Sequence, residues 1–227
     1  MRSALGFAAV LAAGLLALAA LALTTSTTRV YTLGVNPALA AAELGPGARA
    51  CQAPVRVPRD VAFDRVGFLL GTYGEPGPAV EVEVRDDASG RRLAGGRLSA
   101  GYDDLDPDRT EHVVATGRVD TDDALRLCLV NDGDRPVAVI GQAGIASPTT
   151  SATLDGEPLA NDLTFSFHAD ETSLLARLPD IAERAARFRA GWVGPLAYLA
   201  LALAIVVGAP LLLARGISLA AAEDLEH

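Results

Sequence analysis

Few side chains in this sequence are of types that commonly do chemistry, and their spacing limits what that chemistry is. Histidine occurs three times, at His112, His168 and His227. His112 follows an acidic stretch, and His168 ends an alternating run beside Asp170 and Glu171. A histidine next to a carboxylate is the usual arrangement for general acid–base work. The plainer expectation for His168 is a solvated residue at a strand end. Glu81 and Glu83 are two residues apart on one strand face. They read as a solvent-facing row rather than a glycosidase pair, because nothing fixes their separation or polarises one of them. Asp103, Asp104, Asp106 and Asp108, with Glu111 after them, form the densest acidic cluster. Calcium is a hard cation that takes six to eight oxygens, so such a loop is a calcium candidate. Pro107 interrupts it and the helix-loop-helix calcium pattern is absent, so a solvated acidic loop is the competing reading. No other cofactor is expected. Cys51 and Cys128 have no histidines near them in sequence, which argues against zinc. In an exported domain they would pair as a disulfide; otherwise they are two buried thiols. No nucleophile elbow, phosphate loop, dinucleotide fingerprint or zinc-protease helix is present. The chain is therefore expected not to be an enzyme, with a hydrolase or transferase built on His168 and its acidic neighbours as the outlying reading.

The elements that must position these residues are legible from hydropathy. Residues 4–23 and 190–214 carry no charge, while 50% of the 227 residues are hydrophobic. Each run is long enough to cross ~30 Å of hydrocarbon at ~1.5 Å per residue. The first run reads either as a cleaved signal peptide, with small-x-small sites at Ala20-Leu21-Ala22 or Ala38-Leu39-Ala40, or as an uncleaved signal anchor. Its length exceeds the 7–15 residues of a typical signal core, which favours the anchor. In the second run Trp192 and Tyr198 lie near the start, where amphipathic rings prefer the interface, and Arg215 ends it. Pro195 falls in the first helical turn, where its missing N–H costs little, and Pro210 is placed to kink the far end.

Between the runs, residues 24–190 hold 25 acids and 17 arginines, a net charge of −8. Nucleic acid needs a basic footprint, so a nucleic-acid partner is excluded. Two spans put both termini on one side. Export of the middle puts them in the cytoplasm, although Arg184, Arg187 and Arg189 precede the second span and only Arg215 follows it. Arg2 favours a cytoplasmic N-terminus, and long loops translocate largely regardless of charge. The expected location is the cytoplasmic membrane, two-pass, with the middle domain extracytoplasmic.

Residues 24–50 read as a linker, with breakers at Asn36-Pro37 and Gly45-Pro46-Gly47. From Cys51 onward period-two patterning dominates. Val80, Val82 and Val84 alternate with Glu81, Glu83 and Arg85; Leu125, Leu127 and Leu129 alternate with Arg126, Cys128 and Val130; Val137/Val139 and Phe165/Phe167 share the spacing. Such alternation gives a strand one apolar face. Turn signals at 73–78, 86–90, 131–134 and 155–156 separate about eight candidate strands. The expected fold is mainly β, an antiparallel β-sandwich ectodomain at 51–170 flanked by two transmembrane helices, 1–23 and 191–214. Residues 171–190 lie between, and 215–227 form a cytoplasmic tail. From Asp180, a helix cap with Glu183 three residues on, residues up to Ala190 read as a short interfacial helix. Arg184, Arg187, Arg189 and Trp192 would face the membrane interface and its anionic lipid. A plain connector is the alternative. In the first run Ala9, Ala13 and Ala17, with Gly14, give a small-residue face able to pack against another helix.

The segment Val80-Glu-Val-Glu-Val-Arg-Asp-Asp-Ala-Ser-Gly-Arg-Arg-Leu-Ala-Gly-Gly96 resembles galactose-binding-like jelly-roll domains, in which a strand often leads through a D-x-x-G-x-x-L-A turn into the next. Leu125-Arg-Leu-Cys-Leu-Val-Asn-Asp-Gly133 looks like a later core strand of such domains. Residues 174–195 resemble the approach to the membrane in actinobacterial envelope proteins that accompany glycosyltransferases. The resemblance implies a jelly-roll fold, a carbohydrate-related role and, often, a structural calcium. Sugar binding usually needs exposed aromatic platforms. The domain offers Tyr73 and Tyr102, both in turn-like surroundings, while Phe63, Phe68, Phe165 and Phe167 fall in core-like runs. The expectation is a non-catalytic, membrane-anchored accessory or binding protein at the outer face of the cytoplasmic membrane. It would recognise an envelope glycan or support a multi-span glycosyltransferase. The alternative is a structural subunit of a membrane complex without glycan binding.

Overall fold

The computed structural model describes residues 2–58, 61–103, 111–143, 151–174, 176–178, 181, 195–208, 210–212 and 215. Residues 28–170 make one compact unit, and residues 1–27 with 171–227 make the other.

The first unit contains antiparallel strands in two layers. One layer is a six-stranded sheet in the order β12 (Glu157–Pro158), β11 (Ser151–Leu154), β3 (Arg49–Val55), β9 (Leu125–Asn131), β6 (Val80–Asp86), β7 (Arg92–Leu98). The other is built from two smaller sheets. The first runs β1 (Ser26–Thr32), β14 (Phe165–Ser173), β4 (Phe63–Phe68), β8 (His112–Val119). The second runs β13 (Asn161–Leu163), β10 (Val137–Ala143), β2 (Leu39–Leu44), with β5 (Leu70–Gly71) also on β10. The two meet where β4 gives way to β5 at Leu69 and β13 to β14 at Thr164. There the Ile140 N–H donates to the Leu69 carbonyl at 3.0 Å, and the Thr164 N–H donates to the Ile140 carbonyl at 3.3 Å. The result is a mainly antiparallel β-sandwich, compatible with a jelly-roll.

The alternation read from sequence is what fills the space between the layers. Val80, Val82 and Val84, Leu125, Leu127 and Leu129, and Phe63, Phe68, Phe165 and Phe167 are all buried in one core. Phe63 and Phe167 meet edge to face at 4.8 Å between ring centroids, a geometry aromatic quadrupoles favour. Two buried amides tie elements together. Gln52 donates to Asp162 Oδ1 at 2.9 Å and accepts from the Leu163 N–H at 2.9 Å, joining β3 to β13 across the layers. Asn131 donates to the Leu44 carbonyl at 2.9 Å, fixing the end of β2. Each satisfies its partners, so burial is tolerated.

Three expectations need correction. Residues 24–50 are not simply a linker, for they hold β1 and β2. Their apolar contrast is low: β1 buries only Val30, and β2 turns inward on Ala41, Ala42 and Leu44. Glu83 is not solvent-facing but 4% exposed, and His168 is not solvated but 5% exposed.

In the other unit, α1 (Arg2–Thr24) is a continuous helix of 23 residues, and only Thr25 separates it from β1. Its side chains are described from residue 12 onward; among the described residues no helix is long and apolar enough to cross a membrane. The Leu174 N–H donates to the Thr25 carbonyl at 3.0 Å, so the chain enters β1 and leaves β14 side by side. Further on, α2 (Pro195–Leu203) gives way to a π-helical turn, Ala204–Gly208. Pro210 follows; in a regular α-helix a proline ring there would meet the carbonyl four residues back, which lies inside that turn. The interfacial helix expected at 180–190, with Arg184, Arg187 and Arg189, and also Trp192, lies outside the described residues, Ile181 excepted.

Candidate functional site

The six-stranded sheet turns its valines and leucines inward, so the period-two rule sends the intervening residues to its other face. The register aligns Thr153, Cys51, Cys128 and Glu83 in one row across β11, β3, β9 and β6. Next to it run Ser151 and Ala53, then Arg126 and Arg85. This face is a lattice of ion pairs. Glu83 accepts from Arg85 Nε at 2.9 Å and lies 3.3 Å from Arg49 and 3.9 Å from Arg92. The Arg85 hydrogen bond, opposed by burial and helped by the Arg49, Arg85 and Arg92 charges, holds the Glu83 carboxyl below its ordinary range. Arg92 also binds Glu81 at 2.7 Å. Cys51 and Cys128 are joined by a disulfide between directly opposed residues of β3 and β9, as expected for an exported domain.

Beside the disulfide the face is hollowed into a cavity of about 210 Å³. Cys51, Ala53 and Pro54 line it from β3, Ser151 and Thr153 from β11, Arg126 from β9, and Asp87 from the turn after β6. Arg126 Nε and Nη2 both donate to Asp87 Oδ1, at 3.1 and 3.0 Å. Among the described residues nothing donates to Asp87 Oδ2 or accepts from Arg126 Nη1. The sequence reading missed these residues. The alternation at Arg126/Cys128 pointed to their face, but the hollow comes from three strands and a turn far apart in the chain.

A second polar cluster lies on the sheet containing β14. Ser166 Oγ is 2.8 Å from His168 Nε2, and Thr28 Oγ1 is 3.1 Å from Nδ1. Ser166 also donates to Glu111, whose other oxygen accepts from Arg29 at 2.5 Å. Burial disfavours the Glu111 charge, but hydrogen bonds from His168, Ser166 and Arg29 and the Arg29 charge overcome it, lowering its pKa to about 2. Gly67 lies under the convergence, where a Cβ would sit 2.2 Å from Ser166 Oγ and 2.7 Å from Glu111 Oε1. Serine, histidine and carboxylate are the types of a nucleophilic triad, but the order differs. The carboxylate accepts the serine hydrogen bond directly and faces the same imidazole nitrogen, at 3.6 Å, instead of orienting the far one. Ser166 and His168 are both buried. The pair is on one strand face two residues apart, which the sequence shows; Thr28, Arg29 and Glu111 come from distant segments.

The other candidates do not converge. Tyr73 stands 60% exposed on the turn after β5, in left-handed backbone at φ 58°, and donates to Glu43 at 3.2 Å. Tyr102 is half-buried, its ring 4.7 Å from that of His112 and packed over Gly77. Burial raises the Tyr102 pKa and lowers that of His112, disfavouring the charged form of each. Asp103 is exposed, while Asp104, Asp106 and Asp108 lie outside the described residues. Among the described residues no group of three or more His, Cys, Asp or Glu could hold a metal ion. No protein-family model matches the sequence, and no curated protein matches it.

Proposed function

We propose that the chain is a membrane-tethered accessory module. In this reading α1 and the apolar segment 191–214 cross the cytoplasmic membrane, both termini are cytoplasmic, and a jelly-roll-type sandwich works at the outer face. It recognises an envelope glycan or supports a glycosyltransferase there. The observation that carries the reading is the adjacency of Thr25 and Leu174, hydrogen-bonded at 3.0 Å. It brings the residue that follows α1 beside the residue that follows β14, which suits a two-pass protein with its domain on one side. The Cys51–Cys128 disulfide adds support, since such bonds persist in oxidising compartments. Binding is favoured over catalysis because the Ser–His–Glu cluster found among the described residues has its serine and histidine buried.

The test is purification of the tagged full chain from native membranes in a mild detergent, with mass spectrometry of co-purifying proteins and glycans. Recovery of a multi-span glycosyltransferase or an envelope glycan is the expected result. Recovery of the chain alone would sink the accessory reading.

The alternative is a structural subunit whose interface lies in the helices. It is favoured by the exposed Leu16, Leu18, Leu21 and Leu23 along α1, which need lipid or another helix to cover them. Under it, substitution of Ala13 or Gly14 by a bulky residue disrupts assembly while leaving the isolated sandwich unchanged.

A further inference from the structure

We infer that the hollow beside the Cys51–Cys128 disulfide is a subsite for a single uncharged sugar ring. The inference rests on the glycan-binding reading above and deepens it, because it names the place and class of ligand. It also moves the site away from Tyr73 and Tyr102.

Size comes first. At about 210 Å³ the hollow is smaller than the ~300–1,000 Å³ of pockets that enclose drug-sized molecules, so it takes one ring rather than a chain. Chemistry narrows the class. Among the described residues the lining carries one cation, Arg126, and one anion, Asp87, already bonded to each other. Their charges cancel, so an anionic ligand gains no net attraction and meets the Asp87 carboxylate. Among the described residues the pair still keeps Arg126 Nη1 as a donor and Asp87 Oδ2 as an acceptor. A vicinal diol matches such a pair, because each hydroxyl both donates and accepts. Thr153 and Ser151, on one face of β11, add two more hydroxyls of the same dual character. The β3 side is different: the Cys51 sulfur is spent in the disulfide, and Ala53 and Pro54 offer only C–H surface. A hollow with an apolar floor on β3, flanked by the β11 hydroxyls on one side and the Arg126–Asp87 pair on the other, fits a ring with a C–H face and a hydroxyl rim. The disulfide fixes β3 against β9, so Arg126 and the apolar floor are held in register before a ligand arrives, which lowers the ordering cost of binding.

The experiment uses the full chain in a non-glycosidic detergent, titrated with the methyl pyranosides of glucose, galactose and mannose and read by ligand-observed NMR. At least one is expected to bind saturably with a Kd of about a millimolar, as a small neutral ring with few buried atoms allows. Thr153→Val, which removes one hydroxyl at constant shape, is expected to weaken that binding at least tenfold, and Ala53→Leu, which fills the hollow, to abolish it. Both variants must keep the wild-type melting temperature; if either fails to fold, Ser151→Ala replaces it. Asp87→Asn frees the Arg126 charge and is expected to shift preference toward methyl glucuronide. Saturable binding that survives Thr153→Val and Ala53→Leu but is lost in Tyr73→Ala overturns the subsite and leaves the glycan-binding reading standing. No saturable binding by any of the three pyranosides overturns the subsite as well. Co-purification of a glycan then decides the broader reading separately.

Discussion

At the scale of single residues, Gly67 and Glu111 show how a polar cluster is accommodated on a sheet face. The missing Cβ of Gly67 is the space in which Ser166, His168 and Glu111 meet, since a methyl there would lie 2.2 Å from Ser166 Oγ and 2.9 Å from His168 Nε2. Gly67→Ala is therefore expected to destabilise the domain by about 1–3 kcal/mol, the usual cost of overpacking. Urea unfolding would measure it, and an unchanged midpoint would show that the cluster is loosely packed. Glu111 makes a pH prediction. Its pKa is depressed from an ordinary 4.5 to about 2 in the folded chain. The stabilisation is thus fully present above pH 4.5 and is lost as pH falls from there toward 2. Allowing for the solvent screening of a carboxylate that is partly exposed, the contribution is on the order of 1–2 kcal/mol. Glu111→Gln should flatten the melting temperature between those pH values relative to the parent; parallel curves would contradict the assignment. Neither residue is conspicuous in the sequence. Glycine at 67 reads only as a weak point in a strand, and Glu111 as the tail of an acidic run.

At the scale of elements, the strands that are legible are those with strong contrast. Val80-Glu-Val-Glu-Val84 and Leu125-Arg-Leu-Cys-Leu129 announce their inward faces, and both are paired on each side within the six-stranded sheet. β1 and β2 were illegible because threonine and alanine carry little contrast, and their burial depends on partners far along the chain in β14 and β10. The same non-locality hid the hollow, since no local pattern brings Asp87, Arg126 and Thr153 together. Glu83 misled because alternation reports which face a residue takes, not whether arginines lie across that face. The disulfide is the element-scale staple. It closes a sequence separation of 77 residues, for which loop-entropy arithmetic gives about 4.5 kcal/mol. β3 and β9 are already paired, so Cys51→Ala/Cys128→Ala should still fold, but with stability lower by about 3–5 kcal/mol. A double variant as stable as the parent would mean that the ladder alone confines these strands in the unfolded chain.

At the scale of the whole molecule, the two-pass reading makes both ends of the chain cytoplasmic, and that can be checked without disturbing the sandwich. Reporter domains fused separately to each terminus should both report the cytoplasmic side. Taken directly from cells into denaturant, Cys51 and Cys128 should resist maleimide until a reductant is added, then label together. A terminus reporting the outer side, or thiols that label without reductant, would place the domain elsewhere. The sequence alone left this orientation in conflict, because the arginines before the second apolar run argue against it. What the sequence could not supply was that residues 25 and 174 sit hand in hand.

That adjacency has a mechanical side. β1 is the outermost strand of its sheet, and its first residue lies next to the last residues of β14. A force that spreads the two chain exits therefore loads the β1–β14 ladder in peeling mode, one hydrogen bond at a time from the Thr25–Leu174 end. It does not load the whole ladder at once in shear. Separation of the two chain exits by a neighbouring protein would unpeel β1 first and expose the backbone edge of β14, while the disulfide-stapled six-stranded sheet would bear none of the load.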